Sequence, residues 1–176
     1  MRKVNMDLRK LELKDAPLML EWMHDRSVVE NLQTNFLEKT MEDCEMFITD
    51  SWKNESNLHL AIVDEKDTYM GTVSLKHIKM ASAEFGITIC KAAMGKGYAK
   101  WAMEEIFRMG QEQMKLEQVY WCVNPQNIRA LKFYDKNGYA RINSLDEDIL
   151  SRLCSDGIYS PFQIKSYIWY QKELKT

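Results

Sequence analysis

From Val4 to Leu13 apolar and polar positions alternate, through Met6, Leu8, Leu11 and Leu13, the two-residue period of a half-buried first strand. Asp15-Ala16-Pro17 then opens a helix through Leu18, Leu20 and Trp22, with proline in the first turn, where its missing N–H costs little. Thr40 and Asp43 form a variant capping box ahead of Met41, Cys44, Phe47 and Ile48 at helical spacing. Strand-like runs follow at Leu58 to Val63 and Tyr69 to Ile78, on either side of the acidic turn Asp64-Glu65-Lys66-Asp67. The pattern next predicts a strand over 84–89, a helix over 99–114, a strand over 119–123, and a helix over 127–136 ended by Gly138. Tyr139 to Ile142 and Lys165 to Gln171 read as closing strands. Between them Ser144 and Glu147 resemble a capping box ahead of Ile149, Leu150 and Leu153, which predicts an extra helix over 145–154 and a possible lid.

No repeat, linker or biased segment interrupts this order, so one domain over 1–176 is expected. A formal charge of −2 argues against a dedicated nucleic-acid module, which would be basic. Residues 1–80 hold 11 basic against 15 acidic side chains, and 81–176 hold 13 against 11, a weak hint of an anionic ligand in the second half. Cys44, Cys90, Cys122 and Cys154 form no close pair, and His, Cys and acidic spacings suggest no metal. The chain shows no secretory leader and no apolar run of about 18 residues, so a cytoplasmic protein without membrane contact is expected.

Chemistry concentrates in the strand–turn–helix–strand unit at 84–123, whose two strands a right-handed crossover would make parallel. Its turn, Met94-Gly95-Lys96-Gly97-Tyr98-Ala99, leaves backbone N–H groups uncovered where a helix begins, which suits phosphate as well as an ordinary tight turn. The glycine spacing is not that of a dinucleotide fold. Further on, helical geometry puts Asn127, Ala130 and Tyr134 on one face. An amide, a small residue and a phenol in that row suit a long ligand, though on this row alone Tyr134 reads sooner as a core aromatic with a polar tip.

Together the two units resemble the GNAT superfamily of acyl-coenzyme A-dependent N-acetyltransferases, in a layout similar to the ribosomal-protein N-terminal alanine acetyltransferase branch. The family's pyrophosphate loop, Arg/Gln-x-x-Gly-x-Gly/Ala, is matched by Met94 to Ala99, with Met94 departing at the first position. Its later pattern, Asn-x-x-Ala-x-x-x-Tyr-x-x-x-Gly-Phe/Tyr, is met by Asn127, Ala130, Tyr134, Gly138 and Tyr139. The resemblance is strong over about residues 83–142 and fades after Ile142.

What it implies is a GNAT-like α/β fold, a mixed, mostly antiparallel twisted sheet of six to seven strands flanked by helices. Strands 84–89 and 119–123 would be parallel and splayed to admit the pantetheine arm. Main-chain groups of Ile87, Thr88 and Ile89 would pair with that arm, and the amides of Met94, Gly95, Lys96, Gly97, Tyr98 and Ala99 would hold the pyrophosphate. Asn127 and Ala130 would face acetyl-coenzyme A. Lys91, Lys96 and Lys100 are further candidates for phosphate attraction, or simply surface charge.

The reaction implied is direct attack of a neutral amine on the thioester, with Tyr134 as general acid and Glu84 as candidate general base. A lysine-like amine of pKa about 10.4 costs about 4.6 kcal/mol to deprotonate at pH 7, an α-amine of pKa about 7.8 only about 1 kcal/mol, so a base matters far more for the first. Glu84 reads otherwise as a strand-edge surface carboxylate. Trp22, His24 and Asp25 fall in the region that walls the acceptor site in relatives, as substrate-binding or scaffold residues. A small-molecule or amino-sugar acceptor is favoured. A protein or peptide N-terminus and a non-catalytic acyl-coenzyme A-binding module are the alternatives, in a monomer or homodimer.

Overall fold

The computed structural model describes residues 5–174. In chain order its elements are β1 (Asp7–Lys10), α1 (Ala16–Met23), α2 (Arg26–Val29), α3 (Met41–Ser51), β2 (Leu58–Val63), β3 (Tyr69–Lys79), β4 (Ser82–Ile89) and α4 (Tyr98–Met114). There follow β5 (Gln118–Val123), α5 (Ile128–Lys136), β6 (Ala140–Ile142), α6 (Glu147–Ser155), α7 (Pro161–Ser166) and β7 (Ile168–Glu173). The strands form one seven-stranded sheet in the order β1-β2-β3-β4-β5-β7-β6, antiparallel except between β4 and β5. This is the mixed, mostly antiparallel sheet that the motifs imply.

The parallel pair is short. Only Ser82–Gln118, Ala83–Val119 and Glu84–Tyr120 are partnered across it, while β4 stays paired with β3 to Ile89 and β5 with β7 to Val123. Beyond Glu84 each strand follows its other neighbour, and the sheet parts.

Two-residue alternation distributes side chains to the two faces. On one face Leu75, Phe85, Val119 and Trp121 meet Met103, Ile106 and Phe107 of α4 in the main core. Trp121 stacks on Tyr170 at 5.5 Å and 7°, and the Tyr134 ring packs 5.3 Å from Trp121 and 5.1 Å from Tyr170. Gly110 sets the approach of α4 to the sheet, since a Cβ there would sit 3.1 Å from Leu75 Cδ1 and 3.0 Å from Leu116 Cδ1. On the other face α1, α2 and α3 cover Ala61, Val63 and Tyr69. Further along that face, Leu145, Ile149, Leu153 and Tyr159 cover Tyr120 and Trp169.

Several boundaries differ from the sequence reading. β1 keeps only the middle of the 4–13 strand, and Val4 lies outside the described residues. Asp15 explains the early stop, because its buried carboxylate accepts from the Glu12 N–H and from two Arg9 nitrogens, folding 12–15 into a turn. The extra helix exists, but Asp146 caps it, not Ser144, accepting from the Asp148 N–H at 3.0 Å. The segment read as the start of a 165–171 strand is the end of α7, begun by a reciprocal Ser160–Gln163 capping box with Pro161 in the first turn. The 144–163 segment thus packs a buried cluster against Tyr120 and Trp169 of the sheet.

Candidate functional site

At Gly97 the chain adopts φ +88°, and Gly95 adopts φ +74°, left-handed conformations that suit glycine. Gly97 caps α4 without a side-chain hydrogen bond, and no acidic residue occupies the first turn. The first amides of a 17-residue helix therefore face outward unblocked, with the positive end of the helix dipole behind them.

These amides border a cavity of about 410 Å³. Ile87, Thr88 and Ile89 form one wall where β4 has lost β5, Met94, Gly95, Gly97, Tyr98 and Ala99 form its end, and Asn127, Ala130 and Tyr134 form the far wall. Lys96 stands outside it, whereas Lys100, Arg129 and Lys136 line it. Lys91 pairs with Asp25 at 3.5 Å. Asn127 caps α5 by accepting from the Ala130 N–H at 3.2 Å, so its amide oxygen is engaged and its nitrogen remains for a ligand. Met94, the departure from the family loop, receives an Arg129 Nη1–H at 3.1 Å from its sulfur. A guanidinium thus reaches the loop from α5.

A second cavity of about 220 Å³ shares Leu32, Ile87, Thr88, Asn127, Ala130 and Tyr134 with the first and holds Glu84 at its other end. Tyr134 belongs to the core on the α4 face, while Glu84 alternates with Ala83 and Phe85 and points to the α6–α7 face. The parting of β4 and β5 lets side chains from opposite faces share one space.

Glu84 is no surface carboxylate. It is 2% exposed, and its Oε1 accepts from the Tyr159 hydroxyl and lies 3.3 Å from Lys76 Nζ. Oε2 lies 3.4 Å from His77 Nε2, without the alignment of a hydrogen bond. Lys76 and Tyr159 were not foreseen as site residues. The Ser-Pro-x-Gln signal that fixes α7, and with it the reach of Tyr159, was present in the sequence. Cys122 also lines this space, with Gln33 Nε2–H donating to its sulfur at 3.1 Å. Burial pushes its thiol up to about 12, which makes it a poor nucleophile. Burial likewise raises the Tyr134 phenol well above its ordinary value, with nearby Tyr170 and Tyr139 adding to it, so its proton is held throughout the neutral range.

Trp22, His24 and Asp25 do not converge. Trp22 lines a third cavity, of about 520 Å³ beneath α1 and α3, and donates to the Tyr69 hydroxyl. His24 Nε2 bonds the Lys39 carbonyl at 2.7 Å, and Asp25 caps α2 through the Ser27 N–H. Among the described residues no group of three or more His, Cys, Asp or Glu could hold a metal ion, and no helix is long and apolar enough to cross a membrane.

Comparison with known proteins agrees with this geometry. The chain shares 27% identity over 139 residues with an uncharacterised N-acetyltransferase, p20, from Bacillus licheniformis, covering 76% of this chain and 78% of p20. A spermidine N-acetyltransferase from Vibrio cholerae, solved with coenzyme A and spermine, superposes with a TM-score of 0.75 at 18% identity over 96% of this chain and 95% of its own. A GNAT-family acetyltransferase from Bacillus anthracis gives 0.74 at 18% identity over 99% and 98%. The acetyltransferase (GNAT) domain profile matches residues 5–140, from β1 through the cavity walls to the start of β6. A loop of open amides, a parted sheet and a profile spanning both place this chain in the GNAT family, as an acyl-coenzyme A-dependent N-acetyltransferase using acetyl-coenzyme A.

Proposed function

We propose that this chain is a single domain that acetylates the primary amine of a small molecule by direct attack, with Glu84 as general base and Tyr134 as proton donor. One observation carries the reading: Glu84 and Tyr134 line one cavity of about 220 Å³ that opens from the groove. Its walls come from 31–36 and Tyr159, which suits a compact amine better than an open trough for a peptide.

The fit of acetyl-coenzyme A rests on the unblocked amides of α4, the unpartnered edge of β4, and the cations Lys100, Arg129 and Lys136. When bound, it supplies an acetyl group already activated as a thioester. Thr88 and its neighbours offer main-chain groups to the pantetheine as a substitute for β5.

Glu84 then meets the acceptor. With Oε1 held by Tyr159 and Lys76, Oε2 is left to take the amine proton. The neutral form of a lysine-like amine still costs roughly 4.6 kcal/mol at pH 7, and Glu84 acts on that neutral amine by taking its remaining surplus proton as the new bond forms. Tyr134 keeps an O–H at the groove–cavity junction, where the departing sulfur gathers charge. A phenol raised by burial is a steady donor but a weak acid, so its main contribution is a hydrogen bond to that charge. Cys122, protonated and bonded by Gln33, gives no reason to invoke an acyl-enzyme.

An acceptor screen tests the reading, with acetyl-coenzyme A and thiol release as readout. It should include polyamines, because the Vibrio cholerae neighbour is a spermidine N-acetyltransferase, together with arylalkylamines, amino sugars and N-terminal peptides. Turnover is expected with small primary amines. Turnover confined to peptides would overturn the reading.

A further inference from the structure

We propose that His77 is the proton exit of this acceptor site: it takes from Glu84 Oε2 the proton that the amine loses and passes it to solvent. The inference rests on Glu84 acting as the base. A buried carboxylate that has taken a proton must discharge it before the next turnover, and at Oε1 neither neighbour can receive it. Lys76 has donors only, and Tyr159 already points its hydroxyl proton at Glu84.

Oε2 has one nitrogen within reach, His77 Nε2 at 3.4 Å. The carboxylate is 3% exposed and the imidazole 35%, so the pair leads from the buried site to water. The backbone is irregular at this contact. His77 adopts φ +52° where the β3–β4 register shifts between Lys76 and Lys79, and its N–H donates to Asn57 Oδ1 at 2.8 Å. A left-handed histidine inside a strand is uncommon, and such conformations gather at functional sites.

The steps balance. As the amine nitrogen bonds the acyl carbon, its proton passes to Glu84 Oε2. That O–H then breaks as the Nε2–H of His77 forms, the carboxylate is restored, and the imidazolium releases a proton to water. Lys76 of β3 and Glu84 of β4 face the imidazole, as do Arg152 and Asp156 from α6 and its end, with His59 of β2 nearby. Burial lowers His77 from the ordinary histidine value while Glu84 pulls it upward, leaving it neutral near pH 7 and able to accept.

The test is His77→Asn, since asparagine tolerates the left-handed backbone, with His77→Gly as a second variant if the first fails to fold. Spermidine, benzylamine and glucosamine serve as probe acceptors with acetyl-coenzyme A. The expected result is a tenfold or greater loss of kcat with unchanged KM for acetyl-coenzyme A and unchanged melting, restored by added imidazole in proportion to its concentration. An unchanged kcat, or a loss that imidazole does not restore, overturns the proposal. Glu84→Gln is measured in parallel. If it retains full turnover, the base assignment itself falls, whereas an inactive Glu84→Gln beside an unaffected His77→Asn removes the proton exit alone. Histidine NMR needs no acceptor: Glu84→Gln should move the His77 titration to lower pH. A His77 titration that stays put overturns the proposal.

Discussion

The groove proposed for coenzyme A and the pocket proposed for the amine meet at Tyr134 but are built on different principles. The groove is made largely of backbone: the β5-facing edge of β4 beyond Glu84, two left-handed glycines, and the first amides of α4. The pocket is made of side chains drawn from separate parts of the chain, with Glu84 from β4, Lys76 and His77 from β3, and Tyr159 from the α6–α7 connection. A ligand held by main chain depends little on which side chains stand nearby. One met by side chains depends on each of them.

Breaking the pocket should cost most, and in turnover. Tyr134→Phe and Glu84→Gln should each lower kcat by about 10² to 10⁴-fold, with acetyl-coenzyme A affinity held within about twofold. Steady-state kinetics with calorimetry checks this, and a comparable loss in affinity would erase the distinction between the two regions. Next comes Gly97→Val, which breaks the groove through its backbone. A β-branched residue at φ +88° costs roughly 1–2 kcal/mol before any steric block, so coenzyme A binding should weaken by about tenfold or more with kcat at saturation little changed.

Smaller effects sharpen the contrast. Tyr159→Phe removes a hydrogen bond to a buried carboxylate, worth about 1.5–3 kcal/mol, and should lower the melting temperature by several degrees while coenzyme A affinity stays put. Arg129→Ala should weaken acetyl-coenzyme A by only about two- to fivefold, because the guanidinium is exposed, and the deficit should shrink as salt rises.

The same contrast explains what could be read from the sequence. That Gly97, Asn127, Ala130 and Tyr134 line one cavity was legible because a tight turn and a helix face leave fixed spacings, and the sheet followed from period and turns. The environment of Glu84 was not. Its partners lie 8 and 75 residues away in sequence, and nothing local distinguishes Lys76 or Tyr159 from a surface lysine or a core tyrosine. The left-handed turn of His77 was equally hidden, since it comes from a register shift between two strands and not from a turn residue. Helix α7 was overlooked although Ser160-Pro161 and Gln163 announce it, because Lys165 to Gln171 reads as a single strand-like run.

The short β4–β5 ladder has one more consequence. It leaves a raw edge inside a seven-stranded sheet, of the sort that proteins ordinarily hide at their margins because it invites foreign strands. Here α5 and the 27–34 segment stand over the opening, as Val28, Leu32 and Phe133 show, so a slender flexible chain can enter where a polypeptide strand cannot. Bound as proposed, the cosubstrate would complete the sheet as well as supply the acetyl group. At a concentration a hundredfold above its dissociation constant it should stabilise the protein by about 2.7 kcal/mol. On that proposal amide exchange should slow along 85–89 more than elsewhere when acetyl-coenzyme A is added, the cosubstrate standing in for an eighth strand.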